Sequence, residues 1–316
     1  MTDQQFTDPA EIRHRIGAGG AFNLSNVSGD IRIRGTDGDE AVVIARSDHG
    51  RGSALPLVVR QDQGVLSIEL EQRGPLLFGL GWRHVPGVDF EVSLPRNARV
   101  DVNGVSSEIA VSGMLGDQLY RSVSGDIELN LVGGRIKLTT VSGDISVRAD
   151  EPVVVELNTT SGDIEITGPL LRASRLRTVS GDVEIRGGFE PGAMHNVETV
   201  SGDADIESTG GLTVEVRKGI DLGGGPKQRV VGDGAARLRF RTLTGDLHVM
   251  GMGGERGVKD QPFAPPAGRE APVPPAPPAP PAVPQPSSLE ILQALERGEI
   301  DIEEAQRRLE GAGSRG

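Results

Sequence analysis

One short motif supplies nearly every regularly spaced polar group in this 316-residue chain. Ser-Gly-Asp followed by Ile or Val begins at Ser28, Ser124, Ser142, Ser161 and Ser180, with weaker copies at Ser106, Ser201 and Thr244. The carboxylates Asp126, Asp144, Asp163, Asp182, Asp203 and Asp246 are therefore the one candidate array of chemical groups. Stacked about 5 Å apart, carboxylates repel unless hydrogen bonds, water or cations compensate. Oxygen ligands at such spacing attract Ca²⁺, so weak Ca²⁺ binding is one expectation. The nine-residue Gly-Gly-x-Gly-x-Asp calcium-roll pattern is absent, and the repeat here is about twice that length. Corner-holding by the Ser and Asp side chains, with no defined metal site and no cofactor, is the reading the spacing favours.

Catalysis finds little support. A nucleophilic serine normally stands once, whereas this one recurs in matching surroundings. His14, His49, His84, His195 and His248 are scattered without metal-ligand spacing. The acidic residues repeat too evenly to single out an acid and base pair. Gly223-Gly224-Gly225-Pro226-Lys227 lacks the spacing and the following Ser or Thr of a phosphate loop. The chain is expected not to be an enzyme; a polysaccharide-active enzyme would need a unique polar cluster in a groove.

The elements that position the motif follow from its period. From Ser106 to Ser201 the steps are 18, 18, 19, 19 and 21 residues, the signature of a solenoid. Two residues before each corner stand Thr140, Thr159, Thr178, Thr199 and Thr242; four before stand Leu138, Leu157, Leu176, Val197 and Phe240. Ile127, Ile145, Ile164 and Val183 follow it, with Leu129, Val147, Ile166 and Ile185 two residues on. Each arm alternates with period 2 and the phase slips by one residue across Ser-Gly-Asp, as a corner requires. Gly takes φ > 0 at little cost. His195 occupies a ladder position that is apolar in most other copies, so it reads as a half-buried packing or loop-edge residue.

Composition agrees. The chain has 45 Gly, 3% aromatic residues and no cysteine, so thin replicated layers of Val, Ile and Leu suit it better than an aromatic-anchored globule. Disulfides and thiolate metal sites are excluded. A net charge of −12 argues against nucleic acid or anionic lipid as the main partner. Residues 1–6 have neither a basic region nor an apolar stretch, and no segment approaches 18 continuous apolar residues. A cytoplasmic location and no integral membrane segment are expected.

Six segments are expected. Residues 1–19 form a tail with a short helix, Asp8 capping it, Pro9 at its first position and Glu11 completing the cap. Residues 20–95 form antiparallel hairpins that cap one end of the stack, and 96–252 are the solenoid. Leu212 to Leu222 reads as one degenerate coil and Leu238 to Val249 as the last. Residues 253–286 are a spacer: 262–286 hold 12 of the 21 prolines and reach roughly 75 Å if extended. Residues 287–311 form a helical hairpin, with Leu289, Leu292, Leu295, Ile302 and Leu309 on apolar stripes, and 312–316 are a disordered tail. A hairpin so small should self-associate or dock on a protein partner. Phe78 and Trp82 lie in a Gly-rich loop that either plugs the open end of the stack or contacts a partner. The fold class is thus all-β: a β-solenoid of about 19-residue coils with an antiparallel cap and a small C-terminal α-hairpin.

The Thr-Val-Ser-Gly-Asp-Ile repeats at Thr140–Ile145 and Thr178–Val183, preceded by a β-rich segment, resemble the bacterial adhesin-labelled β-strand-repeat family, a domain of unknown function, over roughly residues 20–250. Leu295 to Ile300, followed by Glu303-Glu304-Ala305, is similar to short helical-hairpin modules of bacterial proteins. That resemblance implies oligomerisation or interaction, in some relatives within envelope-stress systems. The expected function is a non-enzymatic scaffold or protein-interaction protein. The alternative is a carbohydrate- or cation-binding adhesin-like protein using the ladder edge.

Overall fold

The computed structural model describes residues 6–47, 52–70, 87–219 and 227–251. The chain divides into two units, Met1–Ala264 and Pro265–Gly316. The second, with the expected hairpin and its Leu289, Leu292, Leu295, Ile302 and Leu309, lies outside the described residues, as do Phe78, Trp82 and the whole Pro-rich spacer 253–286.

The first unit is an almost all-β, solenoid-like stack of parallel strands. Period-2 apolar residues put one face of every strand inward, and coil repetition puts like residues over like. Ile127–Thr139 pairs in parallel with Ile145–Asn158, placing Ile127 on Ile145, Leu129 on Val147 and Leu138 on Leu157. Ile164–Arg177 continues the stack, with Ile145 on Ile164 and Leu157 on Leu176. Each of these long strands carries the second arm of one coil and the first arm of the next, with register shifts where it bends. Inward residues from both arms meet in one core that includes Leu129, Leu138, Val147, Leu157, Ile166 and Leu176, each at most 1% exposed. An inward Ile of this kind contributes roughly 1.5–3 kcal/mol.

Chain order and spatial order part at both ends. Ala21–Ser28 pairs in parallel with Arg99–Ser106 on one side and with Val65–Leu70 on the other. Ile31–Thr36 likewise lies between Ile109–Ser112 and Val88–Pro95. The coil containing Ser28 is therefore inside the stack, and the later strands 65–70 and 88–95 lie beyond it. At the opposite end Met194–Glu198 pairs directly with Ala236–Thr242, and Leu212–Lys218 sits outside them. Leu238 to Val249 therefore stacks directly on the coil of Ser201, and Leu212–Lys218 supplies an outer strand rather than an intervening coil; residues 220–222 of the expected degenerate coil lie outside the described residues.

The segment 20–95 differs from the expected hairpins for the same reason. Four of its strands are parallel members of the stack, and antiparallel pairing among the described residues joins Phe6–Thr7 with Ala54–Leu55, Ala10–Arg15 with Glu40–Ser47, Glu40–Ser47 with Val88–Pro95, and Leu57–Asp62 with Val65–Leu70. The helix expected after Asp8 is absent. Ala10–Arg15 is a strand with Ala10 and Ile12 buried while Glu11 and Arg13 face out. Strand periodicity and a partner edge outweigh the capping signal.

Candidate functional site

Each corner is tied within its own coil and to the next. The Thr140, Thr159 and Thr178 hydroxyls donate to the carbonyls of Ser142, Ser161 and Ser180, two residues on, at 3.1–3.2 Å. These Thr side chains are buried and fix the bend, rather than pairing with one another. Gly162, at φ 123°, leaves no room for a side chain: an added Cβ would stand 2.2 Å from the carbonyl oxygen of Gly143 in the preceding coil. The corner glycine thus answers both to its backbone angle and to the close approach of adjacent coils.

Asp126, Asp144, Asp163, Asp182, Asp203 and Asp246 do come together as a column. The bonds run between coils rather than within the bend. Asp126 Oδ1 accepts the Asp144 N–H at 2.9 Å, and Asp144 Oδ1 that of Asp163 at 2.9 Å. Asp163 to Asp182 follows at 2.8 Å, Asp182 to Asp203 at 2.7 Å and Asp203 to Asp246 at 2.7 Å. Parallel stacking near 4.8 Å places the next N–H within reach of a short carboxylate. At the end of the column Lys218 hydrogen-bonds and attracts the Asp246 carboxylate, holding it below the usual carboxylate range.

The sequence reading missed a member of this column. Asp89 Oδ1 accepts the Asp30 N–H at 2.9 Å. The signal was present: Asp89-Phe90-Glu91-Val92 repeats the Asp-Ile-x-Ile rhythm without its Ser-Gly. In the weak copy, Ser107 takes the glycine position, and its buried hydroxyl has no partner.

Beside the column runs a groove of about 590 Å³, lined by carboxylates such as Asp144, Asp163, Glu128, Glu165 and Glu184, with Arg148 among them. Arg148 lies 3.3 Å from Glu128 and 3.7 Å from Glu165. Arg186 reaches Glu165 at 3.7 Å, Glu207 at 3.6 Å and also Glu184. Interleaved guanidinium groups offset like-charge repulsion along the acidic face. Asp126, Asp144, Asp163, Asp182 and Asp203 spend one oxygen on backbone, while Glu128, Glu165 and Glu184 present theirs to the groove. Among the described residues no three carboxylates or imidazoles are placed to hold a metal ion together.

The histidine on the ladder is structural. His195 is fully buried rather than half-buried; its Nδ1 lies 3.0 Å from Ser174 Oγ, and its ring meets Phe189 edge-on at 5.0 Å. Burial lowers its pKa to about 4, so the ring is neutral at pH 7. Ser174 and His195, polar residues of one ladder, face each other in adjacent coils and partner each other. Tyr120 is also buried, donates to Gln118 Oε1 at 3.1 Å, and has its hydroxyl pKa pushed up by burial. Neither group opens onto a cleft that could use it as an acid or base.

The family model described as Toastrack DUF4097 matches residues 21–219. No curated protein matches the sequence. Among solved structures, a protein provisionally described as a cell adhesion protein from Clostridium sporogenes is similar at 13% identity, covering 77% of this chain and 100% of that one, with a TM-score of 0.24. One provisionally described as an adhesin from Bacteroides fragilis shares 10% identity over 79% and 98%, with a TM-score of 0.34. One provisionally described as a lipid binding protein from Parabacteroides distasonis shares 10% over 76% and 96%, with a TM-score of 0.39. The cytoplasmic location expected from the N-terminal residues is withdrawn, since these structures are described as adhesion and adhesin proteins. No helix among the described residues is long and apolar enough to cross a membrane.

Proposed function

Because the chain belongs to the Toastrack DUF4097 family, we propose, with that membership and the groove as premises, that it is a non-enzymatic, adhesin-like protein that binds an extended carbohydrate along its acidic face. The carrying observation is the groove of about 590 Å³ that crosses several coils and repeats its polar groups with the coil period. Carboxylates accept hydrogen bonds from sugar hydroxyls, and the column Glu128, Ser146, Glu165, Glu184 offers a carboxylate at three of four successive levels and a hydroxyl at the other. Such a surface suits a ligand that is itself repetitive. The descriptions of similar structures as adhesins lean the same way, away from an envelope-stress scaffold. The scaffold alternative is carried by the sequence of residues 287–311, outside the described residues, and no structural observation stands behind it.

The test is glycan-array capture by the full chain against the triple variant Glu128→Gln, Glu165→Gln, Glu184→Gln. These exposed or half-buried positions should tolerate the change, leaving circular dichroism unaltered. Capture of a polysaccharide class by the native chain and a tenfold or greater loss in the triple variant are expected. Equal capture by both proteins, or none by the native chain at millimolar Ca²⁺ and at zero Ca²⁺, would sink the reading.

A further inference from the structure

One column of the corner is used neither by the core nor by the groove. Immediately before each Ser or Thr of the corner stand Val105, Val123, Val141, Thr160, Val179, Val200 and Leu243. The Ser142 N–H donates to the Val123 carbonyl, Ser161 to Val141, Ser180 to Thr160, Ser201 to Val179 and Thr244 to Val200, at 2.9–3.0 Å, so these residues stack coil on coil. Val123, Val141, Val179 and Leu243 are 48–51% exposed, and Val105 and Val200 are 45% and 44% exposed. Seven levels at about 4.8 Å make an apolar stripe about 30 Å long.

The two flanks of the stripe differ in charge. Three levels carry Arg two residues before the apolar position and Asp three residues after it: Arg121–Val123–Asp126, Arg177–Val179–Asp182 and Arg241–Leu243–Asp246. These six are exposed, with Arg121 and Arg177 also pairing with Asp101 and Glu198, and Asp246 with Lys218. The other four levels carry Asn103, Thr139, Asn158 and Glu198 on the first flank and Glu108, Asp144, Asp163 and Asp203 on the second, so the second flank is acidic at every level and the first at one. We propose that the stripe is the seam of a homodimer in which two copies lie side by side, pointing the same way, with the two-fold axis along the stack. That operator sets each stripe against its copy and brings each Arg flank opposite the partner chain's Asp flank at the same level. A two-fold axis across the stack would instead set Asp against Asp and Arg against Arg, which like-charge repulsion disfavours. A seam of about 30 Å by 15 Å buries on the order of 900 Å² in total, the lower end for a specific contact, so the dimer is concentration-dependent. The Asp flank of the seam also lines the groove, and Glu128, Glu165 and Glu184 stand two positions further along their strands, beyond that flank.

The chain has no cysteine, which permits a clean test on the full-length protein. Val141→Cys and Val179→Cys are made separately and treated with a short bis-maleimide, with Gln61→Cys on an end strand as control. With the axis along the stack, each stripe position meets its own copy, so both single variants should yield two-chain products and the control should not. Val141→Asp with Val179→Asp should shift the sedimentation mass from two chains to one, with circular dichroism unchanged. Linkage by only one of the two variants would mean an antiparallel pair and overturn the proposal. Linkage by neither would overturn it too, whether the stripe is bare or covered by residues 287–311 of the same chain. So would a double Asp variant that remains a dimer. Loss of glycan capture in the Glu→Gln triple variant with pairing intact would separate the two readings.

Discussion

From Ile109 to Ser208 every coil rests on its neighbour in sequence, whereas at both ends the chain steps over a coil and returns beneath it. In the interior one solution repeats: Thr ties the bend, Gly admits the coil below, and Asp holds the N–H of the coil above. The ends depart from it because a parallel stack would otherwise finish in an open row of backbone donors and acceptors that pairs with other chains. Leu57–Asp62 and Lys227–Val231 each add an antiparallel strand to an outer parallel one. The column of carboxylates shows the same contrast, since Asp163 holds a backbone N–H and the terminal Asp246 holds Lys218 instead. Regularity supplies the stability of the interior, and departure from it supplies the boundary.

The contrast is sharpest at glycine. Gly162→Ala should cost more than about 3 kcal/mol, or prevent folding, because the new Cβ meets backbone that cannot yield. Gly192, with φ 78° and nothing within 4 Å of an added Cβ, should lose only about 1 kcal/mol on the same change. Urea denaturation of both variants checks this, and equal losses would break the distinction between stack interior and loop.

Acid should act next on the buried imidazole of His195. His195 has a folded pKa near 4, below its ordinary value, so the unfolded chain takes up a proton first. Its contribution to stability is complete above about pH 6.5 and is lost as pH falls toward 4, an effect of roughly 1–3 kcal/mol. In His195→Leu that slope should flatten when denaturation midpoints are compared between pH 7 and 4.5.

Smaller still is the difference along the Asp column. Asp163→Ala orphans the Asp182 N–H and should cost about 1–2 kcal/mol. Asp246→Ala removes an exposed pair and orphans no amide, so its change in urea midpoint should be less than that of Asp163→Ala.

Much of this was legible beforehand, for a physical reason. A repeating coil writes its register into the sequence, so Leu138, Leu157 and Leu176 announced that they stack, and Asp144, Asp163 and Asp182 that they share an edge. Residues that obey the rhythm without the motif were harder to see: Asp89 lacks the preceding Ser-Gly, and Ala10 and Ile12 were obscured by a capping pattern. The valine column was in plain view within Thr-Val-Ser-Gly-Asp, yet period-2 reasoning assigns only inside and outside and does not ask why an outside position stays apolar.

Local chemistry and periodicity determined, from sequence alone, that the chain winds into stacked coils, where each bend falls and which side chains line the core. Only the tertiary structure decided the order of the coils at the ends, because strand pairing depends on which edge is free when a segment returns, and Leu212–Lys218 and Lys227–Val231 carry no mark of lying outside Ala236–Thr242. It also decided that Asp126, Asp144, Asp163, Asp182 and Asp203 serve the neighbouring coil. A hydrogen bond between residues 18 to 43 positions apart exists only once the stack has closed around it.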